Sequence, residues 1–385
     1  MDAPDYDVAI LGAGPAGAAC ALALHGHGLR VVLVDKATFP RDKVCGDAIP
    51  GLALKALRQL NPAWHDELRA TLTARADTRT SRVVAPNGQE LRIGWQLPTF
   101  NSARLHFDDH LLGLARRHTA TEVRENYAVR DVRTTETGIA LLPADAAAAP
   151  VTARLLIACD GANSMAARKL TGRTIDRAYH CAAVRAYYRG IGEVDGTTTE
   201  FFFLRHYLAG YLWIFPVGQG LYNVGFGMLS EAVAAQQIDL KKTLHTLLTN
   251  HPELAGRFAH AEPLSAVEGF GLPLGGRPRP LAGERFLLCG DAASLIDPLQ
   301  GHGIDTAMQS GILAARQAVE SCRRNAFGAA DLTDYEQAVA RRISRRLARS
   351  YRLMRFASTK PWLVNAGFAV ARNALVKRWL LRLVG

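Results

Sequence analysis

The residues of this chain whose types and spacing can do chemistry are three glycines at Gly12, Gly14 and Gly17, an acid at Asp35, a cysteine at Cys45 and a late Gly290-Asp291 pair. The Gly12-x-Gly14-x-x-Gly17 spacing suits a turn that receives a dinucleotide. The first glycine bends the chain, the second lets backbone approach a pyrophosphate, and the third lets helix and strand pack closely. Asp35, about 20 residues further on, is placed to accept the ribose hydroxyls of an adenosine. Cys45 lies in the irregular stretch Phe39-Pro40-Arg41-Asp42-Lys43-Val44-Cys45-Gly46-Asp47-Ala48-Ile49. Two readings are open for it: a thiol beside the reactive ring of a cofactor, or a small buried residue, the commoner fate of cysteine. Arg41 and Lys43 in the same stretch suit a phosphate or a carboxylate. Arg104 is either a planar fork for a diphosphate or an ordinary surface arginine.

These groups need elements to hold them. The apolar run Val8 to Leu11 reads as a buried parallel strand and Leu29 to Asp35 as its neighbour, with a small-residue helix between them whose amino end offers N–H groups and partial positive charge to a diphosphate. Arg82 to Trp95, broken at Pro86-Asn87-Gly88, reads as a hairpin. Strands are expected again at Val123 to Val132 and from Ala153 to Cys159, the latter running into Asp160-Gly161-Ala162-Asn163-Ser164. A further buried strand from Phe286 to Cys289 runs into Gly290-Asp291. Beyond it, Asp297-Pro298-Leu299-Gln300-Gly301-His302-Gly303-Ile304 opens a long helix whose amino end suits negative charge on a bound ring.

Between Ala182 and Phe226 the texture is β-rich and aromatic, with Tyr211, Trp213 and Phe215 at alternate positions. Such a sheet walls an apolar pocket or forms an ordinary core. Nucleotide-type segments on both sides of it imply one domain interrupted in sequence by another. At 385 residues the chain also exceeds the roughly 250–300 that one core supports, so two lobes are expected.

The net charge of +11 is concentrated late. From residue 341 onward there is no Asp or Glu, while Arg341, Arg342, Arg345, Arg346, Arg349, Arg352, Arg355, Lys360, Arg372, Lys377, Arg378 and Arg382 accumulate beside the apolar Trp362 to Val370. That pattern fits either a peripheral membrane surface or a packed helix with a solvated basic face, and the packed helix is the simpler reading. The six cysteines show no metal-ligand spacing, so no metal site and no disulfide framework are expected. The acidic start lacks a secretory pattern and no apolar run reaches the roughly 18 residues of a spanning helix. A cytoplasmic protein, at most peripheral at a membrane, is expected.

Three segments taken together resemble the flavoprotein hydroxylase superfamily: Gly12 to Gly17 with Asp35, Cys159 to Ser164, and Leu288-Cys289-Gly290-Asp291-Ala292-Ala293 with Pro298 and Gly301-His302-Gly303. Within it, Lys43-Val44-Cys45-Gly46, Tyr211-Leu212-Trp213-Ile214-Phe215-Pro216 and Gly303 to Gly311 resemble the geranylgeranyl reductase family of FAD-dependent oxidoreductases. The resemblance implies an α/β fold in which a Rossmann-like FAD-binding domain of the p-hydroxybenzoate hydroxylase type carries an inserted antiparallel β-sheet substrate domain and a C-terminal helical segment. The implied division is 1–75, 100–175 and 270–325 for FAD, 76–99 and 176–269 for substrate, and 326–385 for the basic helical region.

The same resemblance implies FAD held by Gly12, Gly14, Ala16 and Gly17, with Asp35 and Lys36 at the adenosine ribose, Val129 near the adenine, Arg104 near the diphosphate and Asp291 on the ribitol chain. Asp160, Pro298 and Gly301 complete the cofactor set, Gly303 and Ile304 lie against the flavin, and Cys45, Gly46 and Ala48 border the isoalloxazine. Cys45 is the implied catalytic residue, and Tyr211, Trp213 and Phe215 the implied substrate wall.

Two departures from the family pattern touch the substrate side. Leu208 stands where a proline is usual, and Asp47 where Gly or Glu is usual. The expected activity is reduction of carbon–carbon double bonds in a hydrophobic, isoprenoid-like or natural-product substrate, with NAD(P)H or a ferredoxin-like donor as electron source. The alternative is a flavin monooxygenase or tailoring enzyme acting on an aromatic or polyketide-like compound. A flavin halogenase is disfavoured because its Trp-x-Trp-x-Ile-Pro segment is replaced by Tyr211 to Pro216. From another class, the basic tail also suits nucleic acid, which the flavin motifs argue against.

Overall fold

The structure, a computed structural model, describes residues 3–371. Arg372, Lys377, Arg378 and Arg382 of the basic tail therefore lie outside the described residues.

Tyr6–Leu11 is the central strand of the first sheet because its β-forming residues can be buried on both faces: Val8, Ala9 and Ile10 are wholly inaccessible. It pairs in parallel with Val31–Val34 on one side and Val151–Ala158 on the other, with Ile10 opposite Leu33 and Ile157. The order across this sheet is Ala282–Gly283, Phe286–Leu288, Val151–Ala158, Tyr6–Leu11, Val31–Val34, Glu122–Arg124. The hairpin Val129–Thr134 and Ile139–Pro143 joins it through Val151–Ala158. Phe286–Leu288 lies parallel to Val151–Ala158, so residues well over a hundred positions apart pair as neighbouring strands.

Two helices pack together beside this sheet, Pro15–Ala23 and Ile304–Arg324. Small residues permit their close approach. A Cβ at Gly311 would stand 2.2 Å from the Ala16 carbonyl oxygen, and one at Gly290 would stand 3.4 Å from the Ala16 Cβ. The opening turn and the late Gly-Asp segment are thus neighbours.

The second sheet is mainly antiparallel, in the order Glu262–Pro263, His180–Arg189, Leu221–Leu229, Gly210–Gly218, Thr198–Phe202, Ala76–Val84, Glu90–Asn101, Ala48–Ile49. Glu268–Pro273 also pairs with His180–Arg189, and Thr198–Phe202 lies parallel to Ala76–Val84. The expected hairpin is present with longer arms than the apolar runs suggest, Ala76–Val84 and Glu90–Asn101. Its turn is closed by the Gly88 N–H donating to Ala85 O, with Gly88 at φ +80°. Alternation sorts the strand Gly210–Gly218 between two layers. Leu212 and Ile214 enter the core beneath helix Leu240–Asn250, while Trp213 and Phe215 cluster with Ala183, Phe201 and Tyr211 on the other face.

Helix Arg345–Ala357 is anchored rather than free. Leu347 and Tyr351 seat against Gly275 and Gly276, and Tyr351 stacks on Tyr179 at 4.2 Å between centroids.

Candidate active site

The glycine turn has the shape an anionic group needs. Gly12, at φ +103°, lies so close to Cys159 that a Cβ would stand 2.4 Å from its carbonyl oxygen, and a Cβ on Gly17 would stand 1.9 Å from Gly12 O. Gly14 differs, because a Cβ there would meet only the Arg41 guanidinium, at 3.7 Å. Gly14 is also the N-cap of helix Pro15–Ala23 and supplies no side-chain cap, which leaves the helix's amino-terminal dipole available to an anion. A diphosphate fits a turn with backbone space at Gly14, a helix amino end and Arg41 beside it. Asp35 sits at the carboxyl end of the adjacent strand, its carboxylate accepting from the N–H groups of Ala13 at 2.7 Å and Ala37 at 2.8 Å. Exposed Lys36 follows it, and Val129 begins a strand two residues after Tyr127, whose N–H donates to Asp35 O.

The two candidate cations differ in their engagements. Arg104 is buried with its fork bidentate on Asp108, at 2.6 Å for both contacts, and its guanidinium also interacts with the Cys45 side chain. Arg41 shares Asp108 at 2.8 Å while lying over the glycine turn. Burial pushes the Asp108 carboxyl up, but Arg104, Arg41 and Lys43 outweigh it and hold the group below the usual carboxylate range. Asp160 is engaged locally, where its carboxylate accepts from the Ser164 hydroxyl and, at 3.1 Å, from Ala166 N–H, at the start of helix Met165–Thr171. Burial raises its carboxyl.

The late segment closes over the same place. Lys43 Nζ bridges to Asp291 at 3.0 Å, tying the cysteine stretch to the Gly290 region. Gly303 is the N-cap of helix Ile304–Arg324, again without a side-chain cap, and a Cβ there would stand 3.4 Å from Asp291 Oδ1. Pro298 is buried, and Gly301, at φ +73°, lies under the Tyr211 hydroxyl, which donates to Gln300 O at 2.9 Å. His302 carries an ion pair that sequence reasoning does not find. Its Nδ1 meets Asp305 at 2.7 Å, and Asp305 also receives Arg346 from helix Arg345–Ala357 at 3.3 Å. Burial opposes ionisation of Asp305, but His302 and Arg346 bring it down to about 2.

Gly46 and Ala48, just after Cys45, meet the aromatic wall. A Cβ at Gly46 would stand 3.3 Å from the Phe215 ring and 3.6 Å from Trp213 Nε1, and Ala48 packs on the same cluster. Tyr211, Trp213 and Phe215 stand in a row, with ring centroids 6.0 and 6.2 Å apart, and Phe201 closes on Phe215 at 4.9 Å. Gly225 makes room for Trp213: a Cβ there would lie 2.1 Å from the indole. The structure therefore brings together the glycine turn, the cysteine stretch, Asp291, the Gly301–Ile304 loop and the aromatic row.

Comparison with known proteins agrees with this arrangement. Residues 5–183 match the FAD binding domain family and residues 180–269 match the geranylgeranyl reductase catalytic domain. A menaquinone reductase of Mycobacterium tuberculosis is 34% identical over 80% of this chain and 75% of its own length. The chain belongs to the geranylgeranyl reductase family. Another relative, a digeranylgeranylglycerophospholipid reductase of Thermoplasma volcanium, is 27% identical over 90% of this chain and 86% of its own length. Among solved structures, a geranylgeranyl bacteriochlorophyll reductase-like protein of Thermoplasma acidophilum superimposes with a TM-score of 0.83 at 23% identity, over 97% of this chain and 92% of the other. The flavin-dependent brominase Bmp2 gives 0.82 at 24%, over 98% and 93%, so the fold is shared with halogenating flavoproteins. As a geranylgeranyl reductase family member, this chain is an FAD-dependent oxidoreductase.

Sequence reasoning names Arg41 only as a general anion site, and it does not find Tyr187 or Asn223. Both face Asp47 from strands of the second sheet, where a tyrosine and an asparagine carry no distinctive spacing.

Proposed function

We propose that this protein saturates carbon–carbon double bonds in the isoprenoid portion of a hydrophobic, lipid-like substrate, taking electrons from NAD(P)H or a ferredoxin-like donor. The observation that carries the reading is the close packing of Gly46, the residue after Cys45, against Trp213 and Phe215 of an apolar aromatic row. The activities for which the relatives are named, menaquinone reductase and digeranylgeranylglycerophospholipid reductase, support the substrate class.

In this reading Gly12, Gly14, Ala16, Gly17 and Arg41 hold the diphosphate, and Asp35, Lys36 and Val129 the adenosine. Asp291, Pro298, Gly301, Gly303 and Ile304 hold the ribitol and ring, with Arg104 and Asp160 shaping the cradle behind them. FAD, when bound, supplies hydride from N5. The chain's own residues do the rest. Tyr211, Trp213 and Phe215 orient the alkene and exclude water, and Cys45, supported by Arg104, holds the proton that completes addition across the double bond. The first sheet serves the cofactor and the second the substrate. Exposed Leu353, Phe356 and Trp362 beside exposed Arg345, Arg349 and Arg352 give the protein a peripheral hold on an anionic membrane.

The test is anaerobic incubation of the reduced flavoprotein with a menaquinone and with a geranylgeranyl lipid, followed by mass spectrometry. Addition of hydrogen to the prenyl chain is expected. Oxygen-dependent gain of an oxygen atom by an aromatic substrate, with no prenyl saturation, would replace this reading with a monooxygenase. Cys45→Ser is expected to retain flavin and lose about tenfold or more in turnover, within the usual range for a positioned proton donor.

A further inference from the structure

Asp47 stands where a side chain is costly. It is wholly buried and its backbone lies at φ +66°, in the left-handed region that glycine occupies without strain. A residue held there persists only when its surroundings over-determine it. Those surroundings are specific. One carboxylate oxygen accepts from the Tyr187 hydroxyl at 2.6 Å and from the Asn223 amide at 2.7 Å, and the other lies 3.3 Å from Arg104 N–H. The same Asn223 amide donates to Cys45 O at 2.7 Å, while its oxygen accepts from Trp213 Nε1 at 2.8 Å. The backbone oxygen of Asp47 accepts from Ser102 N–H at 3.0 Å.

We propose that Asp47 is the positioning residue of the reacting turn: through Asn223 its carboxylate fixes the Cys45 backbone and the Trp213 indole relative to one another. The proposal rests on the reading that the double bond is reduced between that turn and the aromatic row. Neither Cys45 nor Trp213 is joined to the other directly; both are hydrogen-bonded to Asn223, and Asp47 is what orients Asn223. The helix Arg104–His118, strand His180–Arg189 and strand Leu221–Leu229 all send a group to this one carboxylate.

The charged and titratable groups that act on it are Arg104 from the helix and Tyr187 and Arg185 from one strand. Arg185 packs over the Tyr187 ring at 4.4 Å and is paired with Asp42 and Glu268. Arg104 is paired with Asp108. Burial outweighs these neighbours and pushes the Asp47 carboxyl up to about 6, so the tether changes charge close to neutrality. A protonated Asp47 has less acceptor capacity for Tyr187 and Asn223.

The test uses the full chain, flavin-loaded, as wild type, Asp47→Asn and Asp47→Gly. Asparagine keeps the shape and tolerates the left-handed backbone; glycine relieves the backbone altogether, so both variants can fold. The first readout needs no turnover: iodoacetamide labelling of Cys45 followed by peptide mass mapping. Both variants are expected to change the Cys45 labelling rate by about threefold or more, and Cys181 and Cys322 by less than about twofold, since only the former is tied to Asn223. The second readout is kinetic. A fall of about tenfold in kcat with KM within about twofold is expected, together with loss of the wild-type acid limb near pH 6 in Asp47→Asn. If Asp47→Gly matches wild type in labelling and in kcat, Asp47 merely fills a left-handed turn and the proposal is overturned. If wild type reduces no prenyl chain, the proposed function fails instead, and the labelling readout alone decides whether Asp47 holds the turn.

Discussion

At the scale of single residues, the three glycines of the opening turn do different work, and that difference can be measured. A Cβ on Gly17 or Gly12 has nowhere to go, because Gly12 O and Cys159 O stand inside its contact distance. Gly17→Ala should therefore destabilise the fold by about 3 kcal/mol, at the upper end of the usual overpacking range, as read by urea unfolding of the protein stripped of flavin. Gly14→Ala, with open space around it, should leave that unfolding curve almost unchanged and lower the flavin content of the purified protein. If both variants shift the curve equally, the space beside Gly14 is structural and not a binding space. Asp47 makes a second residue-scale prediction. Its folded carboxyl, at about 6, is raised above the ordinary value of 3.8, so the folded state binds its proton more tightly. Its contribution to stability is fully present below about pH 4 and is lost as the pH rises through 6. Asp47→Asn should remove that part of the pH dependence, and a thermal-melt series from pH 4 to pH 7 with identical slopes in both proteins would contradict it.

At the scale of elements, what was legible in the sequence is what local constraint writes there. Gly12-x-Gly14-x-x-Gly17 reads as a turn because a strand must reverse into a helix within a few residues. Tyr211, Trp213 and Phe215 share a face because strands alternate. The Asp47, Tyr187, Asn223 and Trp213 network was not legible, since its members come from three strands and a loop up to 176 residues apart with no common period. The same holds for the clasp between helix Arg345–Ala357 and the start of Ile304–Arg324, made by Arg346 on Asp305 in that helix's first turn and by the Ser350 hydroxyl on Asp297 of the preceding loop at 3.1 Å. The basic residues of that helix read as one solvated face, yet one of them points inward to a buried acid. Asp305, brought to about 2, contributes stability that is present above the ordinary carboxylate value and lost as the pH falls through 2. Arg346→Ala should therefore lower the melting temperature at pH 7 and release the loop, with faster hydrogen exchange at residues 297–303. Unchanged exchange there would show that Ser350 and the buried Leu347 hold the helix without it.

At the scale of the whole molecule, two sheets meet along the cysteine stretch, and a series of ring contacts links the aromatic row to a surface helix. Phe203 lies 6.0 Å from Tyr211 and 6.4 Å from Phe368, which belongs to helix Pro361–Ala371. That helix packs near strand Glu90–Asn101, where Trp95 and Leu97 are exposed, and it carries exposed Trp362 and Val370. On the preceding helix, Arg345, Arg349, Arg352, Leu353 and Phe356 form one solvent-facing stripe, cationic at one end and apolar at the other. Among the described residues no helix is long and apolar enough to cross a membrane. Vesicles containing phosphatidylglycerol should bind the protein, with affinity falling as salt rises, because the arginines supply attraction that screening weakens. Removing one aromatic anchor with Phe356→Ser or Trp362→Ser should weaken binding by about tenfold, the order expected for exposing one large apolar side chain. Those variants should turn over a short-chain, detergent-dispersed substrate at the wild-type rate, because neither residue belongs to the aromatic row. Equal binding of wild type and both variants to anionic vesicles would leave charge alone as the attraction and would show that these two aromatic side chains add nothing to it.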